Sequence, residues 1–226
     1  MIEAFMFSME PTIIDASKKQ ADAYNWAFKK YGLNIRITPD EYKPYYGQKG
    51  DEIFRQILGK TEIDDEVMEL VKLKQKGFEL SEYTEDNAKI ALGAPELIDA
   101  INSTDTPIYI VSSGKNYVAN SLIDHVGIRN KIHKLVDGDG VTKGKPDPEI
   151  YHKALNVAGV LPKNSLTFEG TLPGVKSATA AKIPCIAVVE NMPRDLFEEQ
   201  KPYMIINNLE ELFPKKFYEV IDDFRK

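Results

Sequence analysis

The sequence predicts an α/β protein: a Rossmann-like parallel sheet core with a small α-helical domain inserted after its first strand. Three observations predict it. An apolar run from Ile2 to Phe7 is bounded by Ser8 and Pro11, as a buried strand ending in a turn would be. Residues from about 17 to 88 then carry helical periodicity and much charge, with no strand pattern. After Pro95 strand-like and helix-like runs alternate, the signature of a parallel sheet. A lone strand is not stable, so the first run must join the later sheet. The expected core is therefore discontinuous, residues 1–16 and 89–226, with a helical cap at 17–88.

Taken in order, the first strand is followed by Asp15, a candidate N-cap for a helix whose apolar positions are Ala21, Tyr24, Phe28 and Tyr31 and whose end is marked by Gly32. Thr38-Pro39-Asp40-Glu41 is a capping-box pattern with proline at the first helical position. Ile53, Phe54, Ile57 and Leu58 form the next apolar stripe, and Val67, Leu70 and Val71 another. In the core, strands are expected at Ile108 to Val111, Ser165 to Phe168, Ile183 to Val189 and Tyr203 to Ile206. Helices are expected through Val118 and Leu122, from Pro148 to Ala158 with Asp147 as cap, from Val175 to Ala181, and in the tail through Phe217 and Val220.

Composition excludes several classes of function. With 226 residues and 42% hydrophobic content, the chain can bury one core plus a small accessory unit. A net charge of -6 with scattered Lys and Arg argues against a nucleic-acid surface, since phosphate backbones are held by clustered cations. The single cysteine, Cys185, lies in an apolar run, so a buried thiol is expected and a disulfide framework is not. The N-terminal run contains Glu3, has no basic leader and is shorter than the roughly 20 residues a membrane span needs. A cytoplasmic protein with no membrane contact is the expectation.

Four stretches carry a resemblance. Asp137-Gly138-Asp139-Gly140-Val141-Thr142-Lys143-Gly144-Lys145-Pro146-Asp147-Pro148-Glu149-Ile150-Tyr151 resembles the lysine motif of the haloacid dehalogenase superfamily, in its phosphatase and β-phosphoglucomutase branch. Ile110-Val111-Ser112-Ser113-Gly114-Lys115-Asn116 is similar to that family's second motif. The resemblance implies that Lys145 neutralises a phosphate and the nucleophile, and that Ser112 hydrogen-bonds a phosphoryl oxygen. It also implies that Tyr45-Tyr46-Gly47-Gln48-Lys49-Gly50 is the cap loop that reads substrates, and that Asp15 supports local structure after the first motif.

The other two motifs depart from the pattern. Where the family has Asp-x-Asp-Gly-Thr, whose first Asp attacks phosphorus and whose second protonates the leaving oxygen, this chain reads Ser8-Met9-Glu10-Pro11-Thr12. Ser8 stands in the nucleophile's place and Glu10 in the acid's. Where the family has an acidic pair, the chain reads Glu169-Gly170-Thr171-Leu172-Pro173-Gly174, so Gly170 replaces the magnesium-binding Asp.

These replacements have physical consequences. Magnesium takes near-octahedral oxygen ligands, usually with one or two carboxylates. Ser8 offers a neutral hydroxyl and Glu169 reaches at best through water, so the expected cofactor is none, with magnesium bound weakly or not at all. A serine nucleophile needs an adjacent base. His125, His133 and His152 fall away from the four motifs, which leaves Glu10 as the one candidate. Lys145 and Ser112 can hold an anion without metal; alternatively Lys145 pairs with Glu169 as a structural ion pair.

Three functional readings follow. The first is a catalytically impaired family member that binds phosphate, another inorganic anion or a small phosphorylated metabolite. The second is a phosphomonoester hydrolase or phosphomutase with an atypical site in which Ser8 and Glu10 take altered roles. The third is a protein-interaction module whose partner the sequence does not identify.

Overall fold

The computed structural model describes residues 1–84, 86–190, 192–213 and 215–224. The chain divides into two compact units, Met1–Ile14 with Ile90–Lys226, and Asp15–Lys89. In chain order the elements are β1 (Ala4–Ser8), β2 (Ile14–Asp15), α1 (Ser17–Tyr31), α2 (Pro39–Tyr42), α3 (Gly50–Ile57), α4 (Asp65–Leu80) and β3 (Lys89–Ile90). They continue with α5 (Ala94–Asn102), β4 (Ile108–Val111), α6 (Asn116–His125), β5 (Lys134–Val136), α7 (Glu149–Ala158), β6 (Ser165–Glu169) and α8 (Leu172–Ala180). The last are β7 (Cys185–Val188), α9 (Arg194–Glu198), β8 (Met204–Ile206) and α10 (Lys215–Asp223).

Six strands form one sheet in the order β5-β4-β1-β6-β7-β8, and every pair is parallel. β1 sits at its centre because all five of its residues are buried, Phe5 and Phe7 on one face and Ala4 and Met6 on the other. On the first face Phe7 stacks on Phe168 of β6 with centroids 4.3 Å apart and rings 7° from parallel, and Phe5 reaches Phe217 of α10. On the second, Ala4 and Met6 pack with Val111, Cys185 and the α7 side chains Ile150, Tyr151 and Ala154. The chain winds to β4 on one side of β1 and to β6 on the other, so the carboxyl ends of these three strands lie at the topological switch point where open α/β sheets bind ligands.

The unit Asp15–Lys89 is built from α1 to α4 around Tyr24, Phe28, Tyr42, Tyr46, Phe54 and Leu70. Trp26 lies against Gly77, where any side chain would meet its ring at 3.0 Å. The capping box at Thr38 forms, with Thr38 accepting from the Glu41 N–H at 3.2 Å and Glu41 accepting from the Thr38 N–H at 2.8 Å. β2 and β3 pair in a separate two-stranded sheet.

Some local expectations are corrected. The N-cap of α1 is Ala16; the Asp15 carboxylate instead accepts the Ser17 N–H at 3.0 Å and its hydroxyl at 2.8 Å, one residue earlier than a cap would. Pro148 occupies the cap position of α7 itself, while Asp147 accepts the Glu149 N–H at 3.0 Å. β5 was not expected from the sequence: its three residues pair with β4 at the edge of the sheet, and only Val136 is buried. Among the described residues, no helix is long and apolar enough to cross a membrane.

Candidate functional site

The register of the sheet builds the site. Ser8 pairs with Val111, Phe7 with Phe168 and Glu169 with Ala187, so the strand ends Ser8, Ser112 and Glu169 come side by side at one edge. Ser8 and Glu169 follow Met6 and Thr167 in the two-residue alternation, and therefore share the face that α7 covers. Ser112 is held by its N–H on the Val136 carbonyl at 2.9 Å, and its hydroxyl accepts the Gly114 N–H at 3.1 Å.

Lys145 comes from the loop between β5 and α7. That loop is pinned by Glu149, whose carboxylate accepts the N–H groups of Thr142 and Lys143 at 2.7 and 2.8 Å, and by Ser177, which donates to the Asp147 carbonyl at 2.7 Å. Held in this way, the ammonium donates to Glu169 at 2.5 Å and to the Ser8 hydroxyl at 3.3 Å. The Lys145 and Glu169 side chains are only 1% and 0% exposed, and Ser8 and Ser112 only 2% and 5%.

Glu169 is fixed from every side. Its Oε1 accepts from Lys145 and from the Tyr151 phenol, which in turn lies 3.2 Å from the Thr167 hydroxyl. Its Oε2 lies 3.5 Å from the Thr171 hydroxyl and rests over Gly174, where no Cβ could fit. Thr171 caps α8 by accepting the Gly174 N–H at 3.0 Å. Burial, and then the neighbouring charge of Glu169, push the Tyr151 phenol well above its ordinary range, so it serves as a donor. Cys185 is buried as expected, and burial pushes its thiol up in the same way.

Of the residues singled out from the sequence, the structure brings Ser8, Lys145 and Glu169 into one hydrogen-bonded group, with Ser112 on the neighbouring strand end. Glu10 is partly exposed in the turn that follows β1. Gly170 lies against that turn: a Cβ there would be 3.0 Å from Pro11 Cγ and 3.0 Å from the Thr12 hydroxyl. Thr12 is 2% exposed and its hydroxyl has no hydrogen-bond partner among the described residues. Among the described residues, no group of three or more His, Cys, Asp or Glu is placed to hold a metal. Of Asp137, Asp139, Lys115 and Asn116, the first two are taken up by the others and by Lys153. Tyr151 and Thr12 were not assigned roles from the sequence. Tyr151 stands within the lysine motif, on α7, but its partner Glu169 is at the end of β6 and no local pattern reveals it.

Residues 5–188 match the model of haloacid dehalogenase-like hydrolases. Hexitol phosphatase A of Escherichia coli (strain K12) is 29% identical over 220 residues, covering 93% of this chain and 93% of that protein. The phosphorylated carbohydrates phosphatase of Thermotoga maritima is 27% identical over 221 residues, covering 93% of this chain and 100% of that protein. A crystal structure of β-phosphoglucomutase from Clostridium difficile superposes with a TM-score of 0.82 at 22% identity, covering 100% of this chain and 98% of that one, a likeness of fold.

Proposed function

This chain belongs to the haloacid dehalogenase-like hydrolase family, and we propose that within it the chain is a catalytically impaired member that binds phosphate or a phosphorylated metabolite without turning it over. The observation that carries this reading is the state of Lys145. Its ammonium is paired with a buried carboxylate and donates to Ser8, the residue at the nucleophile's position. A serine attacks phosphorus only if a base removes its proton. Here the Ser8 hydroxyl faces a cation, and the nearby carboxylate is already committed to Lys145 and Tyr151.

The residues present do not fit magnesium. Ser8 is neutral, position 170 has no side chain, and the Oε1 of Glu169 is engaged by two donors. What is left suits an anion: the hydroxyls of Ser8 and Ser112 and the Lys145 ammonium stand at the carboxyl ends of adjacent strands. Because Glu169 already neutralises Lys145, an arriving phosphate must compete with it, and weak affinity is expected. The relatives named above, a hexitol phosphatase and a phosphorylated carbohydrates phosphatase, support a phosphorylated carbohydrate as the metabolite class. In this reading the helical unit Asp15–Lys89 serves as the cap.

The test is the melting temperature of the full chain with inorganic phosphate and sugar phosphates, each with and without magnesium. Saturating ligand at 100 times its Kd is expected to raise it by roughly 5–10 °C, with no need for magnesium and with the shift lost in Ser112→Ala. No response to any anion would overturn the binding half of the proposal. Magnesium-dependent release of phosphate would overturn the impairment and favour the atypical phosphatase or phosphomutase.

A further inference from the structure

Gly170 has a backbone conformation that other residues adopt, since it is not among the glycines with positive φ. What favours glycine there is space. A Cβ would stand 3.0 and 3.2 Å from two ring carbons of Pro11 and 3.0 Å from the Thr12 hydroxyl. Thr12 holds that place although its buried hydroxyl has no partner among the described residues, an arrangement that costs stability.

We infer that Pro11, Thr12 and Gly170 form one interlocked packing unit that seals the space a metal-binding carboxylate at 170 would occupy, so that restoring carboxylates alone does not restore a divalent-cation site. The disagreement with the family's magnesium is thus steric as well as chemical. Ser8 and Gly170 lack the ligand groups, and the first carbon of any side chain at 170 would press on the turn 11–12 at 3.0 Å. This inference rests on the reading of the chain as an impaired family member, and its test separates the two.

The experiment is a double-mutant cycle at positions 12 and 170 in the full chain, read as melting temperature. Gly170→Ala is expected to lower it by roughly 3–10 °C, the range for overpacking in a chain of this size. Thr12→Ala in the same background is expected to recover about half of that loss, because residues in contact are not additive. Additive effects would overturn the inference. Thr12→Val needs no tolerance of overpacking: it keeps the shape and removes the orphan hydroxyl, so the melting temperature is expected to rise by a few degrees, on the order of the cost of one unmade bond. A fall would mean that the hydroxyl has a partner and that the space is not sealed. The double variant Ser8→Asp/Gly170→Asp is expected to show no stabilisation by magnesium chloride beyond that of sodium chloride at equal ionic strength; a specific magnesium shift would overturn the inference. Phosphate release by the unmodified chain would instead sink the impairment reading and leave the coupling of 12 to 170 standing.

Discussion

Lys145, Glu169 and Tyr151 meet in a place with almost no solvent, and the energetics of such a group are asymmetric. Removing one partner strands a buried charge, whereas removing both removes the desolvation cost as well. Lys145→Met is therefore expected to cost about 3–5 kcal/mol in chemical unfolding, and Lys145→Met with Glu169→Leu less than that. Tyr151→Phe deletes a bond to a charged acceptor and is expected to cost about 1.5–3 kcal/mol. The phenol's raised pKa gives a sign to the alkaline limb. The native state holds this proton more tightly, so the contribution is full below the ordinary value of 10.0 and is lost as pH rises through the higher folded value. Thermal melts above pH 10 should show a fall that Tyr151→Phe lacks. Ser8, Ser112, Lys145 and Glu169 were singled out through the resemblance to the family's motifs, and their placement together comes from the sheet register. The Tyr151 and Thr12 roles were not, because each depends on a residue far away in sequence that only the sheet register brings near.

At the scale of elements, short-range signals were read well and edges poorly. The capping box of α2 and the αL glycine that ends α1 are local chemistry, and both form where the sequence places them. β5 escaped because Lys134-Leu135-Val136 has neither length nor alternation, and its pairing with β4 is a long-range event. Lys19 is the sharpest surprise. It is a lysine, yet it is fully buried, donating to the carbonyl and hydroxyl of Ser81 at 2.7 Å each and lying 3.8 Å over the Tyr83 ring. Burial lowers its pKa against the opposing charge of Asp22. Asp15 has the reverse balance: burial works against its charge, but the N–H and hydroxyl of Ser17, the Tyr46 phenol and Lys89 outweigh it and hold the carboxyl below 3.8. Its contribution is present above 3.8 and lost as pH falls through the lowered folded value. The melting-temperature gap between the unmodified chain and Asp15→Asn should therefore close as pH is lowered below 3.8. Asp64 caps α4 by accepting the Val67 N–H at 3.0 Å, and Asp64→Ala is expected to cost about 0.5–2 kcal/mol in urea denaturation.

For the whole molecule, the alternation of strands and helices after Pro95 and the isolated first strand were enough to read a parallel sheet interrupted by a helical segment, because a strand buried on both faces must find neighbours on both sides. The sheet places Ser8, Ser112 and Glu169 together whether or not they perform chemistry, which is why fold alone does not decide function here. The chemistry turns on the substitutions at 8 and 170 and on the commitment of Lys145 to Glu169. The most direct test is phosphate release from a panel of phosphorylated carbohydrates, with and without magnesium, beside an active hexitol phosphatase as control. The account predicts no magnesium-dependent release above background while the control turns over; release that requires magnesium and disappears in Ser8→Ala would contradict it.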